Sequence, residues 1–121
     1  MKTIKYKIWV AATIIAVFFA SDVNAQKRIS LEIKVSTQCG MCKEKIEKAL
    51  AYEKGVRFFN VDYKGQKLFV EYDPRRTSPD KIKQTISKLG YDADEVAADP
   101  EAYAKLPGCC KKPDDPEYRK H

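Results

Sequence analysis

The chain has 121 residues, of which 44% are hydrophobic and 33% are charged, and its formal net charge is +6. That length holds one small domain, which excludes a multidomain enzyme with separate lobes for cofactor and substrate. Without residues 1–25 the chain keeps 20 basic and 16 acidic residues, and these alternate rather than cluster. The mixed pattern predicts a solvated surface and argues against nucleic acid as a partner.

The first 25 residues have the pattern of a secretory signal peptide. Three lysines precede an apolar run over residues 8–20, which is shorter than the about 20 residues of a membrane-spanning helix. Val23 and Ala25 supply the small residues of a cleavage site. We therefore expect cleavage after Ala25, a secreted and periplasmic protein, and no stable membrane insertion of the mature chain. An uncleaved N-terminal anchor is the alternative.

A strand, a loop and a helix are predicted next. Apolar and polar residues alternate over residues 28–35, which is typical of a half-buried strand. Residues 36–41 break the alternation and are predicted as a loop. From Cys42 the apolar period becomes helical, with Ile46 and Leu50 on the same stripe, and Gly55 ends this helix.

A hairpin and a second helix follow. The strands over residues 56–63 and 67–72 are predicted to meet in a two-residue connection whose Gly65 has a positive φ. Ser78 is predicted as the N-cap of a helix with proline in its first turn. Gly90 is predicted to end that helix.

The last predicted strand covers residues 91–96, although its acidic residues are poor strand formers. The element order predicts an α+β, ferredoxin-like βαββαβ fold over residues 26–98, with a four-stranded antiparallel sheet and two helices on one face. Residues 99–121 are predicted to form a charged and largely flexible tail that begins with a short helix and carries Cys109 and Cys110.

Cys39 and Cys42 form a C-x-x-C motif where the first strand meets the first helix. Two thiols at this spacing can converge on one ion, and a helix N-terminus stabilises the thiolate. Thiolates select soft ions such as Cu(I) and Hg(II), and also Zn(II) or Cd(II) where further ligands join. The sequence has no Ser/His/Asp constellation, paired-carboxylate cleft or phosphate loop, so we do not expect an enzyme.

Residues 28–96 resemble a heavy-metal-associated domain, the module of copper chaperones, metal-transporting P-type ATPases and periplasmic mercury-scavenging proteins. The matching pieces are Cys39-Gly40-Met41-Cys42, Gly55-Val56, residues 70–74 and Leu89-Gly90-Tyr91. The resemblance implies that Cys39 and Cys42 bind one metal ion, Cu(I) first and Hg(II) second. It also implies transfer by thiolate exchange to a metal transporter or another thiolate protein, with Tyr91 packed beneath the metal loop. Thr37 stands where the family usually has Met.

Cys109 and Cys110 lie beyond the resembled domain, and three roles stay open for them. They could complete a four-thiolate site with Cys39 and Cys42, suited to Zn(II) storage or sensing or to clustered Cu(I). They could form a separate soft-metal site on a flexible arm, or they could form disulfides. For the C-x-x-C motif itself, thioredoxin-like thiol–disulfide exchange is the rival function.

Overall fold

The structure of the protein, a computed structural model, describes residues 27–120, so the predicted signal peptide lies outside the described residues. In chain order the elements are β1 (Ile29–Lys34), α1 (Gly40–Ala51), β2 (Val56–Asp62), β3 (Lys67–Tyr72), α2 (Pro79–Lys88) and α3 (Pro100–Ala104), followed by a 3-10 turn at Gly108–Cys110. No helix within the described range is long and apolar enough to cross a membrane.

The strand β3 is central in the sheet, between β1 and β2, and both of its pairings are antiparallel. Leu68 in β3 pairs with Ile33 on one side and with Val61 on the other, and all three side chains are buried. Phe69, the next residue of β3, is 41% exposed on the opposite face. The alternation predicted from the sequence is therefore confirmed for these strands.

The helices α1 and α2 bury apolar residues at helical spacing in the same core as the inner face of the sheet. Their buried residues are Cys42, Ile46 and Leu50 in α1 and Ile82 and Ile86 in α2. The N-cap predicted for α2 is confirmed, because Oγ of Ser78 accepts a hydrogen bond from the N–H of Lys81 at 3.3 Å.

The connection between β2 and β3 differs from the prediction. Residues 63–66 join the strands, and the positive φ belongs to Gln66, at 55°, rather than to Gly65. The carboxylate of Asp62 accepts a hydrogen bond from the N–H of Gly65 at 3.0 Å, and this side-chain contact supports a longer turn. The predicted two-residue connection with a positive φ at Gly65 is therefore wrong.

The predicted fourth strand is also corrected, because residues 91–96 contain only isolated bridges. One bridge joins Val35 to Ala93, and the chain then turns back so that Ala93 and Val96 exchange two backbone hydrogen bonds at 2.9 Å. Asp94 has a φ of 49°, and its carboxylate accepts a hydrogen bond from the N–H of Lys34 at 2.8 Å. The Asp94 side chain thus accepts a hydrogen bond from a backbone N–H of β1 that a fourth strand could otherwise use. The sheet therefore has three strands within residues 27–120.

Residues 99–120, called the C-terminal segment from here on, lie against the domain. The helix α3 has the N-cap Asp99, whose carboxylate accepts a hydrogen bond from the N–H of Ala102 at 3.2 Å. This helix passes so close to Gly90 that a Cβ at Gly90 would lie 2.9 Å from the backbone N of Tyr103, and Gly90 has a φ of +104°. The flexibility predicted for this segment stays a prediction.

Candidate metal centre

The C-x-x-C motif lies at the N-terminus of α1. Cys39 is the N-cap residue, and its carbonyl accepts hydrogen bonds from the N–H groups of Cys42 at 3.1 Å and of Lys43 at 3.3 Å. This turn places the sulfur of Cys42 3.5 Å from the sulfur of Cys39. Cys42 is fully buried whereas Cys39 is partly exposed. The pair can therefore face one ion while one of its two sulfurs stays accessible to a partner.

Buried polar contacts hold the loop that precedes the motif. Thr37 is fully buried, and its hydroxyl donates a hydrogen bond to the carbonyl oxygen of Tyr63 at 3.3 Å. The side-chain amide of Gln66 donates a hydrogen bond to the carbonyl oxygen of Thr37 at 3.1 Å. Where the resembled domain usually has Met, this protein therefore attaches its loop to the β2–β3 connection through hydrogen bonds.

The C-terminal segment brings two more thiols to the motif. The sulfur of Cys39 lies 3.3 Å from that of Cys109 and 3.6 Å from that of Cys110. The sulfurs of Cys39, Cys42 and Cys110 all lie within 4.8 Å of one another, in a group that does not include Cys109. All four cysteines are free thiols. The sequence left three roles open for Cys109 and Cys110. The convergence of the sulfurs is the geometry required by one of them, a thiolate site shared with Cys39 and Cys42.

The thiols differ in acidity. Burial raises the pKa of the Cys39 thiol, but hydrogen bonds to its sulfur from the backbone N–H of Cys42 and from the neighbouring thiols outweigh burial, so the pKa is lowered. Burial raises the pKa of Cys109 and that of Cys110, and contacts with the thiols of Cys39 and Cys42 raise them further. Of these three residues, Cys39 is the one poised to form a thiolate, which is the form that binds metal.

Tyr91 lies beside these thiols and is fully buried. Its pKa is raised first by burial and then by the thiols of Cys110 and Cys42 next to the hydroxyl. Within residues 27–120 the hydroxyl has no nitrogen or oxygen as a hydrogen-bond partner. A neutral phenol in this position excludes water from the thiols and can donate a hydrogen bond to a thiolate sulfur.

An open groove leads to one side of the sulfur cluster, and its lining includes Cys39, Cys109, Met41 and Arg119 but not Cys42 or Cys110. Met41 is 52% exposed, and its sulfur lies 3.7 Å from that of Cys109. From the sequence, Met41 could offer a thioether ligand, but a simply exposed side chain is the favoured interpretation. The position of Cys109 beside it could not be deduced from the sequence. The single histidine, His121, lies outside the described residues.

Sequence reasoning did not find the residues that hold the C-terminal segment near the motif. The hydroxyl of Tyr103 accepts a hydrogen bond from the N–H of Lys112 at 3.0 Å and donates one to the carboxylate of Asp115 at 2.9 Å. The ammonium of Lys112 also pairs with the carboxylate of Asp92 at 2.6 Å. These are single polar contacts in a charged stretch, so no apolar period indicates them.

Similarity to known proteins covers the C-x-x-C motif but not the C-terminal segment. The sequence model of the heavy-metal-associated (HMA) domain matches residues 32–92, which is half of the chain. The chain belongs to the HMA domain family. The match includes the C-x-x-C motif and ends before Cys109 and Cys110. The antiparallel order of the sheet agrees with this family and differs from the parallel βαβ start of a thioredoxin-like fold.

The relatives of this HMA protein include copper proteins. The copper-exporting P-type ATPase of Staphylococcus aureus (strain Newman) is 38% identical over 69 residues, which is 57% of this chain but 8% of the ATPase. The solved structure of the CopZ metallochaperone has a TM-score of 0.51 at 29% identity and covers 54% of this chain and 98% of that one. The N-terminal domain of a potential copper-translocating P-type ATPase from Bacillus subtilis, solved in the Cu(I)-loaded state, has a TM-score of 0.53 at 29% identity, covering 56% and 86%. The part shared with these relatives is therefore the HMA domain with its C-x-x-C motif.

Proposed function

We propose that this HMA protein is a soft-metal carrier that holds one ion between Cys39 and Cys42 and passes it on by thiolate exchange. The observation that carries this proposal is the geometry of the pair at the start of α1, with sulfurs 3.5 Å apart, one buried and one partly exposed. An incoming thiolate of a partner can bind the ion from the exposed side. The bond between the ion and Cys39 then breaks as the bond to the partner forms, so the protein acts as a carrier and not as an enzyme.

Cu(I) is the first choice of cargo and Hg(II) the second. Thiolate ligands favour soft ions, and both ions are soft. Relatives that share the HMA domain are a copper-exporting and a potential copper-translocating P-type ATPase, which supports Cu(I). Zn(II) and Cd(II) would need more thiolates than the C-x-x-C pair supplies.

We propose a P-type ATPase or another membrane metal transporter as the receiving partner, or else another thiolate metal protein. The support is the 38% identity to a copper-exporting P-type ATPase, of whose length the chain spans 8%. The periplasm is the proposed location, on the strength of the signal peptide predicted over residues 1–25 with cleavage after Ala25. In that oxidising compartment, a bound metal ion would protect the thiols from disulfide formation.

The test is an anaerobic titration of the reduced protein with Cu(I) and Zn(II), each in competition with a chromogenic chelator. We expect one Cu(I) per chain, and an affinity that falls by about 100-fold or more in Cys39→Ser and in Cys42→Ser, because each variant removes a direct ligand. Cys109→Ser is the matched variant, since it makes the same chemical change outside the three-sulfur group and should weaken binding far less. If the double variant Cys39→Ser/Cys42→Ser binds Cu(I) as tightly as the wild-type protein, the proposal is wrong.

A four-thiolate Zn(II) centre for storage or sensing is the second candidate. It is favoured by one observation, the convergence of all four thiols, in which the sulfur of Cys39 lies within 3.6 Å of each of the other three. The same titration distinguishes the two candidates. A preference for Zn(II) that is lost in Cys109→Ser/Cys110→Ser would establish the closed Zn(II) site, whereas a preference for Cu(I) supports the carrier.

A further inference from the structure

A third sulfur lies close to the C-x-x-C pair and belongs to a residue outside the family match. The sulfur of Cys110 is 3.6 Å from that of Cys39, and the group that these two sulfurs form with Cys42 spans no more than 4.8 Å. We propose that Cys110 is a third ligand, so that Cys39, Cys42 and Cys110 form a three-thiolate centre for the soft ion. This inference rests on the proposed function and specifies how the ion is held.

The distances suit a three-thiolate centre. Thiolate–metal bonds are about 2.3 Å long, so three sulfurs around one ion lie about 4 Å apart. The sulfur of Cys39 is 3.5 Å from that of Cys42 and 3.6 Å from that of Cys110. Opening these two pairs by about 0.5 Å makes room for the ion, and small adjustments of the side-chain rotamers suffice for that movement.

The position of Cys110 does not depend on contacts between sulfurs. A Cβ at Gly108 would lie 2.7 Å from the carbonyl oxygen of Glu117, so the backbone of the 3-10 turn packs directly on the residues near the end of the C-terminal segment. The carbonyl of Gly108 also accepts a hydrogen bond from the N–H of Arg119 at 3.1 Å. On the other side of the turn, Lys112 pairs with Asp92 of the domain at 2.6 Å. These contacts place the Cys110 thiol before any ion arrives, which lowers the entropic cost of recruiting a third ligand.

The buried hydroxyl of Tyr91 lies beside two of these three sulfurs. The Tyr91 side chain is 0% exposed, and its hydroxyl has no nitrogen or oxygen partner in the described range. Buried hydroxyls normally have a hydrogen-bond partner, because an unpaired one costs about 1–3 kcal/mol. The groups beside this hydroxyl are the thiols of Cys110 and Cys42. When these sulfurs are thiolates bound to an ion, they become strong acceptors for the Tyr91 proton.

Cys109 is the neighbouring thiol that this arrangement leaves out. Its sulfur lies 3.3 Å from that of Cys39, 3.7 Å from that of Met41 and 4.0 Å from that of Cys110, and it lines the open groove. It does not belong to the group of three sulfurs within 4.8 Å. Two adjacent cysteines therefore have different surroundings, one beside Tyr91 and Cys42 and the other beside the groove.

Loading this centre exchanges protons for the ion without any change of oxidation state. Each thiol that binds releases its proton to solvent as its sulfur forms a bond to the metal. The resulting centre is negatively charged, and the N-terminus of α1 together with the Tyr91 hydroxyl offsets part of that charge. A third bond must then break during transfer, so the ion leaves more slowly than from a two-thiolate loop.

The experiment counts the sulfurs around Cu(I) by X-ray absorption and measures Cu(I) affinity, using the reduced protein and two single variants. We expect three sulfurs in the wild-type protein. Cys110→Ser should show two sulfurs and an affinity lower by about tenfold to 100-fold. Cys109→Ser, a change of the same chemistry one residue away, should keep three sulfurs. The count in the wild-type protein needs no substitution, so it stays decisive even if Cys110→Ser does not fold.

The other outcomes overturn the inference in distinguishable ways. Two sulfurs in the wild-type protein and an unchanged affinity in Cys110→Ser would reject the third ligand and leave the proposed carrier intact. Four sulfurs, with equal losses in Cys109→Ser and Cys110→Ser, would replace the three-thiolate centre by a four-thiolate one. Failure of the wild-type protein to bind Cu(I) would overturn the proposed function together with this inference.

Discussion

The HMA body, residues 29–96, and the C-terminal segment are held in place by different interactions. In the body, long aliphatic side chains such as Ile33, Leu68 and Ile86 are fully buried in one core. In the C-terminal segment, Leu106, Cys109 and Cys110 join that core, and the remaining anchors include polar contacts such as those of the Tyr103 hydroxyl. Burial of a large aliphatic side chain is worth about 1.5–3 kcal/mol, whereas a partly exposed ion pair is worth about 0–1 kcal/mol.

Under the three-thiolate proposal, this difference means that the thiol of Cys110 would be supplied and withdrawn separately from those of Cys39 and Cys42. Cys39 and Cys42 depend on the junction of β1 and α1, which is part of the body. Cys110 depends on the attachment of the C-terminal segment, which should open at a lower free-energy cost than the body unfolds. In the proposed centre, two regions of different stability would then control the affinity for the ion and the ease of its release.

The largest expected effect is a truncation in the core of the body. Leu68→Ala removes a fully buried side chain from the central strand and should lower the free energy of unfolding by about 2–5 kcal/mol, because it leaves a cavity between the sheet and the helices. Urea denaturation followed by circular dichroism measures this loss.

Phe69→Ala is the matched control in the same strand. Its side chain is 41% exposed on the outer face, so the expected loss is about 1 kcal/mol or less. Equal losses in Leu68→Ala and Phe69→Ala would mean that the stability of the body does not depend on the core described above.

A smaller effect is expected from Tyr103→Phe, which removes a hydroxyl from the C-terminal segment. This variant loses the hydrogen bonds to Lys112 and Asp115. The free energy needed to open the segment locally should therefore fall by about 1 kcal/mol. Hydrogen exchange at the amide of Lys112 should then be about fivefold faster, while exchange in β3 stays the same.

Tyr52→Phe makes the same change on the body, where the Tyr52 side chain is 84% exposed. Neither region should exchange faster in this variant. If Tyr103→Phe accelerated exchange in β3 as much as at Lys112, the segment and the body would be one cooperative unit and the comparison would fail.

The smallest effect concerns a charge in the body. Hydrogen bonds from the side chain and the backbone N–H of Arg75 hold the pKa of the Asp73 carboxyl below its usual value. A carboxylate with a lowered pKa stabilises the folded state fully above its unfolded pKa of about 3.9 and loses that contribution as the pH falls through the folded value. The stability difference between the wild-type protein and Asp73→Asn should therefore be greatest near neutral pH and should narrow below about pH 4.

Urea midpoints of both proteins, measured from neutral to acidic pH, test this behaviour. A difference that stays constant over the whole range would show that the Asp73 charge does not contribute. The prediction applies to the body alone, since Asp73 and Arg75 precede the C-terminal segment in the chain and form their contacts with each other and with Arg57.

Most of the body was predictable because its signals are local and repeated. The alternation in β3 and the stripe of α1 each recur over several residues, so a single exception does not hide them. The strand predicted at residues 91–96 was wrong because one residue, Asp94, both turns the chain with its positive φ and bonds to the N–H of Lys34. The alternation of apolar and polar residues over six positions could not reveal that the Asp94 side chain competes for a backbone hydrogen bond.

The amino-acid sequence by itself determined the order of the main strands and helices, the HMA family and the C-x-x-C pair at a helix N-terminus, since each depends on neighbours in the chain. Only the tertiary structure decided that Cys110 meets Cys39, 71 positions away. That meeting depends on close backbone packing at Gly90 and Gly108 and on single polar contacts, none of which repeats along the chain. Contacts of this kind become visible only when the chain is folded, because their energy comes from the fit of two distant surfaces.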